Sequence, residues 1–264
     1  MESTIKIIID QGKCTGCGLC TADCLRHVLE MQDGTACVLS DVCIKCGHCL
    51  AVCPANAVRM EGVEDIILEK SEAVQTLEEN SLWTHLKLRR SVRQYQKTPV
   101  EREKLEKIIE AGRLTPSGSN AQNVRYIVVQ SGIDALEDEV IAQYREMGKQ
   151  TELSTPNPKA PDISKYRLER GFLFHNAPTL ILVVSENSVN ACLAAMSMEL
   201  MAEALGLGTL YVGLFTRPAN QNEAVRQSFG LAEEENFVIC LGVGYPAVTY
   251  QRSAPKKPAN IVWR

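Results

Sequence analysis

No stretch of this chain stays apolar for the ~18 residues that a membrane-spanning helix needs. The longest candidates, Leu180 to Val184 and Phe237 to Val243, are strand-sized. An excess of basic residues is also missing. There are 28 Lys and Arg against 32 Asp and Glu, a net charge of -4. That balance excludes the basic footprint of a nucleic-acid protein and argues against a membrane-surface role. Met1 to Asp10 holds one Lys and no apolar segment with a cleavage site, so no signal peptide is expected, and a cytoplasmic location is. The phosphate-loop and Gly-x-Ser-x-Gly signatures are absent. Gly206 to Gly213 superficially suggests a dinucleotide loop, but it follows a predicted helix and has the wrong spacing.

Cysteine is what the chain has in quantity. Eight of its 11 cysteines fall between residues 14 and 53. A leaderless cytoplasmic chain keeps its thiols reduced, so this clustering points to metal and not to crosslinks. Cys14, Cys17, Cys20 and Cys24 recur at Cys43, Cys46, Cys49 and Cys53, each offset by 29 residues. Gly18 and Gly47, Ala22 and Ala51, and Met31 and Met60 repeat at the same offset. The repeat implies two copies of one small unit. Paired zinc sites would use two cysteines per run, whereas four per run is the pattern of iron–sulfur cubanes. In that pattern the fourth cysteine of each run serves the other cluster. Cys14, Cys17, Cys20 and Cys53 then hold one [4Fe-4S] cluster, and Cys43, Cys46, Cys49 and Cys24 the second. Pro54 follows Cys53 as the signature expects, while Leu25 stands where Pro is frequent after Cys24. Residues 1–62 thus resemble a bacterial-type two-cluster ferredoxin. His27 and His48 are expected to be surface or packing residues. Cys37, Cys192 and Cys240 are expected to be small structural hydrophobes.

Residues 63–82 read as a partly helical connector. From there the pattern alternates helix and strand. Helices are expected over 82–89, 99–111 (Thr98 as N-cap, Pro99 in first position, Gly112 as terminator), 133–147, 189–205 and 220–229. Strands are expected over 126–130, 179–184 and 237–243. The segment 151–164, with Pro156, Pro158 and Pro161, is expected to be an irregular loop.

Four short motifs lie along residues 83–264. They are Arg89-Arg90-Ser91-Val92-Arg93-Gln94-Tyr95; Thr115-Pro116-Ser117-Gly118-Ser119-Asn120-Ala121-Gln122; Ala204 to Gly213, containing Gly-Leu-Gly-Thr; and Leu241-Gly-Val-Gly-Tyr-Pro246 with basic residues downstream. Taken singly, the first reads as a solvated face and the second as a plain turn. In this order together they resemble the nitroreductase family of FMN enzymes. The resemblance implies an α+β fold, with the two-cluster module followed by a three-layer α/β/α domain around a mainly antiparallel sheet. It implies a homodimer with FMN at the interface and the helix at 189–205 contributing to that interface. Arg89, with Lys256 or Lys257 of the tail, would hold the FMN phosphate. Arg90 belongs to the same motif. Ser91 would bond the phosphate or ribityl chain, and Arg93 would stabilise charge at N1 and the C2 carbonyl. The backbone of Val212 and Gly213 would face N5. Pro116, Ser117 and Ser119 would reach the flavin from the partner subunit, and Asn120 and Gln122 would bind its polar groups. No side chain is expected to act as a nucleophile.

The expected function is an iron–sulfur flavoprotein reductase. Single electrons would pass through two clusters to FMN, which reduces a nitroaromatic, a quinone or an activated alkene. The alternatives are another flavin reaction, such as dehalogenation or metabolite oxidation, with 151–164 as a lid, and a non-enzymatic electron-transfer or redox-sensing module. A ferredoxin or NAD(P)H would be the electron donor, and no nucleic-acid or membrane partner is expected.

Overall fold

The computed structural model describes residues 6–40, 42–63, 65–68, 77–152 and 168–264. It divides into two compact units. One comprises residues 1–76 with Gly118–Ala121, the other Leu77–Ser117 with Gln122–Arg264.

The first unit is built from β1 (Lys6–Ile9), α1 (Leu19–Ala22), β2 (Leu29–Gln32), β3 (Thr35–Val38), α2 (His48–Val52) and β4 (Val58–Glu61). β1 pairs antiparallel with β4, and β2 with β3. The sequence repeat is also a backbone repeat. Gly16 and Lys45 have φ of 68° and 57°, Gly18 and Gly47 of 75° and 74°, His27 and Asn56 of 50° and 48°, and Asp33 and Gly62 of 48° and 81°. Each pair is 29 residues apart. Left-handed backbone costs most residues ~1–2 kcal/mol, so its recurrence marks turns that the thiol geometry demands. Val28, Leu29, Ala36 and Cys20 form a small core.

The second unit contains α3 (Glu79–Leu88), α4 (Arg102–Arg113), β5 (Arg125–Val129), α5 (Ile133–Glu152), β6 (Thr179–Ser185), α6 (Ser188–Ala204), β7 (Gly208–Tyr211), α7 (Gly213–Gln221), α8 (Glu223–Ser228) and β8 (Asn236–Gly244). The sheet order is β5-β6-β8-β7, antiparallel throughout. β6 is buried along its whole length, which explains its unbroken apolar run. Its side chains alternate between two cores. Leu180, Leu182 and Val184 join Leu136, Val140, Phe215 and Phe237 on the α5 and α7 side. Ile181 and Val183 join Leu105, Ile108, Ala195 and Met198 on the α4 and α6 side. Helices on both faces of one sheet make the three layers.

Some boundaries moved. α4 starts at Arg102 and not at Pro99, because Val100 is drawn into the core at 3% exposure and keeps the entering chain extended. The stretch expected as one helix over 220–229 is two. Asn222 is extended (φ -100°, ψ 104°) and its side chain caps Val225 N, so it ends α7 and starts α8. α7 itself holds Pro218, which cannot donate to the Leu214 carbonyl. Tyr144 Oη takes that carbonyl at 2.5 Å and satisfies it. The 151–164 loop lies mostly outside the described residues. Cys240 is buried as expected, but Cys192 is exposed. It shares with Val189, Leu193 and Met196 a face of α6 that is open in the single chain.

Candidate functional site

The first unit gathers its thiols around two cavities. Cys14, Cys17, Cys20 and Cys53 line one, with Ile9, Met31, Ala36 and Val58. Cys24, Cys43, Cys46 and Cys49 line the other, with Ile7, Leu29 and Ile44. The fourth cysteine of each run thus closes the cavity of the other run. Among the described residues no group of His, Cys, Asp or Glu converges tightly enough for a single metal ion. Four thiols spread around a mostly apolar hollow fit a multi-atom cluster instead. Burial raises the Cys20 thiol and pushes Cys49 up to about 11. An iron–sulfur cluster held there by these cysteines would supply the positive charge that favours their thiolate form. Backbone N–H groups already point at sulfur, from Ala36 to Cys14 Sγ at 3.5 Å, from Lys45 to Cys43 Sγ at 3.3 Å, and from Ala57 to Cys53 Sγ at 3.3 Å. The Ala36 and Gly16 amides lower the Cys14 pKa. His48 also lines the second cavity, and His27 is an exposed turn residue.

In the second unit, three of the four motifs meet. Residues 91–96 run between β7 and the end of β8. Val92 N donates to Thr209 O at 2.9 Å, Tyr95 Oη to Gly242 O at 3.2 Å, and Gln96 N to Tyr245 O at 2.8 Å. The approach is close enough to require glycine. A Cβ on Gly208 would lie 2.3 Å from Val92 Cγ2, and one on Gly244 would lie 2.7 Å from Pro178 Cδ. Arg89 ends α3, and its Nη1 donates to Glu199 Oε1 at 2.7 Å. Glu199, 2% exposed, also accepts from Thr209 Oγ1 at 3.2 Å. Ser91 O accepts from Tyr250 Oη at 3.0 Å. Arg90 is half-buried and Arg93 is exposed. The Arg93 charge, after burial, helps hold His175 below the usual imidazole range.

The remaining candidates are placed as follows. Val212 N donates to Cys240 O at 2.8 Å, and Val212 O accepts from Phe215 N at 3.1 Å. Both of its backbone groups are therefore engaged, so of the expected N5-facing pair only Gly213 offers an open backbone. Gly213 begins α7, and no atom lies within 4 Å of a Cβ built on it. Pro116 is exposed, and Ser117 Oγ accepts from Gln122 N at 2.9 Å. Ser119 and Gln122 adopt φ of 51° and 48°. Asn120 donates its side-chain amide to Ile44 O and Lys45 O, both at 3.1 Å. Lys256 and Lys257 lie exposed on a tail without regular structure. Sequence reasoning missed Glu199, Thr209 and Tyr250. For Glu199 the signal was there: it is one of only two charges in the apolar run from Ser188 to Ala204, and a lone acid on a packed helix calls for a cation.

Residues 86–245 match the family model described as Nitroreductase family, and residues 13–57 match the one described as 4Fe-4S dicluster domain. The chain belongs to the nitroreductase family. It is an oxidoreductase of that family whose residues 13–57 form the dicluster domain. It is 26% identical over 171 residues, 61% of this chain and 75% of the other, to a Methanothermobacter thermautotrophicus protein named for NADH dehydrogenase/NAD(P)H nitroreductase activity. It is 26% identical over 212 residues, 73% of this chain and 75% of the other, to the iodotyrosine deiodinase of Hydra vulgaris. The structure of a Bacteroides fragilis nitroreductase with bound FMN superposes with a TM-score of 0.56 at 21% identity, covering 70% of this chain and all of that one. Among the described residues no helix is long and apolar enough to cross a membrane.

Proposed function

We propose that this protein is an iron–sulfur flavoprotein reductase that binds FMN and two [4Fe-4S] clusters and reduces a small electrophile. The observation that carries this reading is the meeting of Arg89–Tyr95, Gly208–Gly213 and Leu241–Pro246 in one unit, in a chain that also holds two four-thiol cavities. FMN, when bound, supplies the conversion of single electrons into a pair or hydride.

The chain's own groups bind and orient. Arg89, with one edge fixed by Glu199, offers its remaining guanidinium N–H groups to the phosphate. Ser91 and the tail residues Lys256 and Lys257 complete that contact. Arg93 stabilises negative charge on the pyrimidine side of the ring. Gly213 gives the open backbone N–H at the helix start, where partial positive charge favours an electron-rich acceptor. The exposed α6 face of Val189, Leu193 and Met196 supports a homodimer, across which Pro116, Ser117 and Ser119 would reach the flavin, with Gln122 binding its polar groups. The acceptor is a nitroaromatic, quinone or activated alkene. Similarity to a deiodinase over 73% of the chain favours one second reading, reductive dehalogenation.

The test is anaerobic stopped-flow reduction of the loaded protein by NADH, NADPH and reduced ferredoxin in turn, followed by nitroaromatic, quinone, activated-alkene and halophenol acceptors. Flavin reduction that follows cluster reduction supports the relay. Clusters that reduce while the flavin stays oxidised refute it, and turnover of the halophenol alone selects the second reading.

A further inference from the structure

The two cluster loops follow the same backbone path but solve one problem differently. The residue two places after the first cysteine of each run is left-handed: Gly16 in the first, Lys45 in the second. At Gly16 only glycine fits, since a Cβ would sit 2.2 Å from Gly34 O. Lys45 carries a side chain at φ 57° and bears the strain of that region. Its N–H donates to Cys43 Sγ at 3.3 Å. The carbonyl of the same peptide unit, Ile44 O, accepts from Asn120 Nδ2 at 3.1 Å, and so does the next carbonyl, Lys45 O, also at 3.1 Å. Asn120 therefore belongs to the first unit by its contacts as well as by compactness.

The three groups form a chain, from the Asn120 amide through the Ile44–Lys45 peptide to sulfur. Donation to the carbonyl draws density from the peptide and makes its N–H a stronger donor. The clamp on both carbonyls also fixes the direction in which that N–H points. Among the described residues, no side chain acts in this way on Thr15 or Gly16. Asn120 itself is left-handed at φ 55°, a conformation asparagine tolerates better than most residues.

We infer that Asn120 is a positioning residue for the cluster of Cys24, Cys43, Cys46 and Cys49, orienting and polarising the Ile44–Lys45 peptide so that its N–H raises that cluster's reduction potential. Hydrogen bonds to cluster sulfur favour the more negative, reduced state. The inference rests on the proposed two-cluster loading and reassigns a residue that the sequence pattern alone gave to the flavin.

The experiment is an EPR-monitored redox titration of the full-length holoprotein, as wild type, N120G and N120D. N120G removes the amide without adding backbone strain, and N120D keeps the volume but cannot donate when ionised. In both variants, one cluster should become about three- to tenfold harder to reduce, about 30–60 mV at 59 mV per decade for a one-electron couple. The other cluster should not move, and iron, sulfide and FMN contents should match wild type. Unchanged potentials in fully loaded variants, or equal shifts of both clusters, overturn the inference. Loss of FMN with both cluster potentials intact also overturns it and returns Asn120 to the flavin. Wild-type protein carrying one cluster signal would instead sink the two-cluster reading, and this inference with it.

Discussion

The Arg89–Glu199 pair gives the sharpest prediction about the second unit, because its cost is asymmetric. The Glu199 side chain is 3% exposed and that of Arg89 is 23%. The carboxylate has Arg89 Nη1 at 2.7 Å and Thr209 Oγ1 at 3.2 Å. Arg89→Met leaves a buried carboxylate with no cation, and such losses cost about 3–5 kcal/mol. Glu199→Leu leaves a guanidinium that can turn partly to water, so about 2 kcal/mol is expected, near the worth of one charged hydrogen bond. The double variant removes both charges and fills the space with carbon. Apolar replacement of a buried pair is frequently close to neutral, so it should be more stable than Arg89→Met alone, its cost falling well short of the sum of the two single costs. The assay is urea unfolding of flavin-free protein followed by far-ultraviolet circular dichroism. Helices α3 to α8 all lie in the second unit, so that signal reports chiefly on it. Additive single-variant costs, or an Arg89→Met cost no larger than that of Glu199→Leu, would refute the reasoning.

Two further predictions use the backbone and a titrating group. Gly16→Ala places a Cβ 2.2 Å from a backbone oxygen at φ 68°, so the protein should keep about half its iron and sulfide, and full iron would contradict the assignment of that loop. His175, held below its usual range first by burial and then by the Arg93 charge, binds its proton more weakly folded than unfolded. Its contribution is thus present above about pH 6.5 and is lost as the pH falls from there toward the folded pKa. The melting-temperature advantage of wild type over His175→Asn, a residue suited to φ 50°, should shrink between pH 7.5 and 5.5, and a constant difference would rule this out.

Much of the fold was legible because apolar patterning is a local signal. The unbroken run at Thr179–Ser185 and the Ala- and Met-rich helix at Ser188–Ala204 lie within a residue or two of the positions expected. β7 and α7 were not legible. Gly208-Thr209-Leu210-Tyr211 is only four residues long and opens on a glycine, a breaker signal, and its register is set by pairing with β8. Its glycine is there for the approach of Val92. α7 begins with Gly213 and contains Pro218, both breaker signals, and survives because Tyr144 satisfies the carbonyl that proline abandons. Of the site, the eight thiols could be read from spacing. The partners of Arg89 and Asn120 could not, because they lie 110 residues away in one case and 75 or more in the other.

The duplicated cluster unit shows what kind of constraint survives a change of residue. At positions 16 and 45, 18 and 47, 27 and 56, and 33 and 62 the left-handed backbone recurs, yet only one of the four pairs keeps the same residue type. The invariant is the path that carries the thiols, and glycine is one way of allowing it. Where a backbone oxygen crowds the turn, as Gly34 O crowds Gly16, no other residue fits. Where that crowding is absent, a side chain can be tolerated if something else holds the peptide. Lys45 is exposed, and Asn120 grips the carbonyls on either side of it. A turn freed from glycine in this way becomes dependent on a residue 75 positions later, which is how a self-contained repeat can come to rely on sequence outside itself.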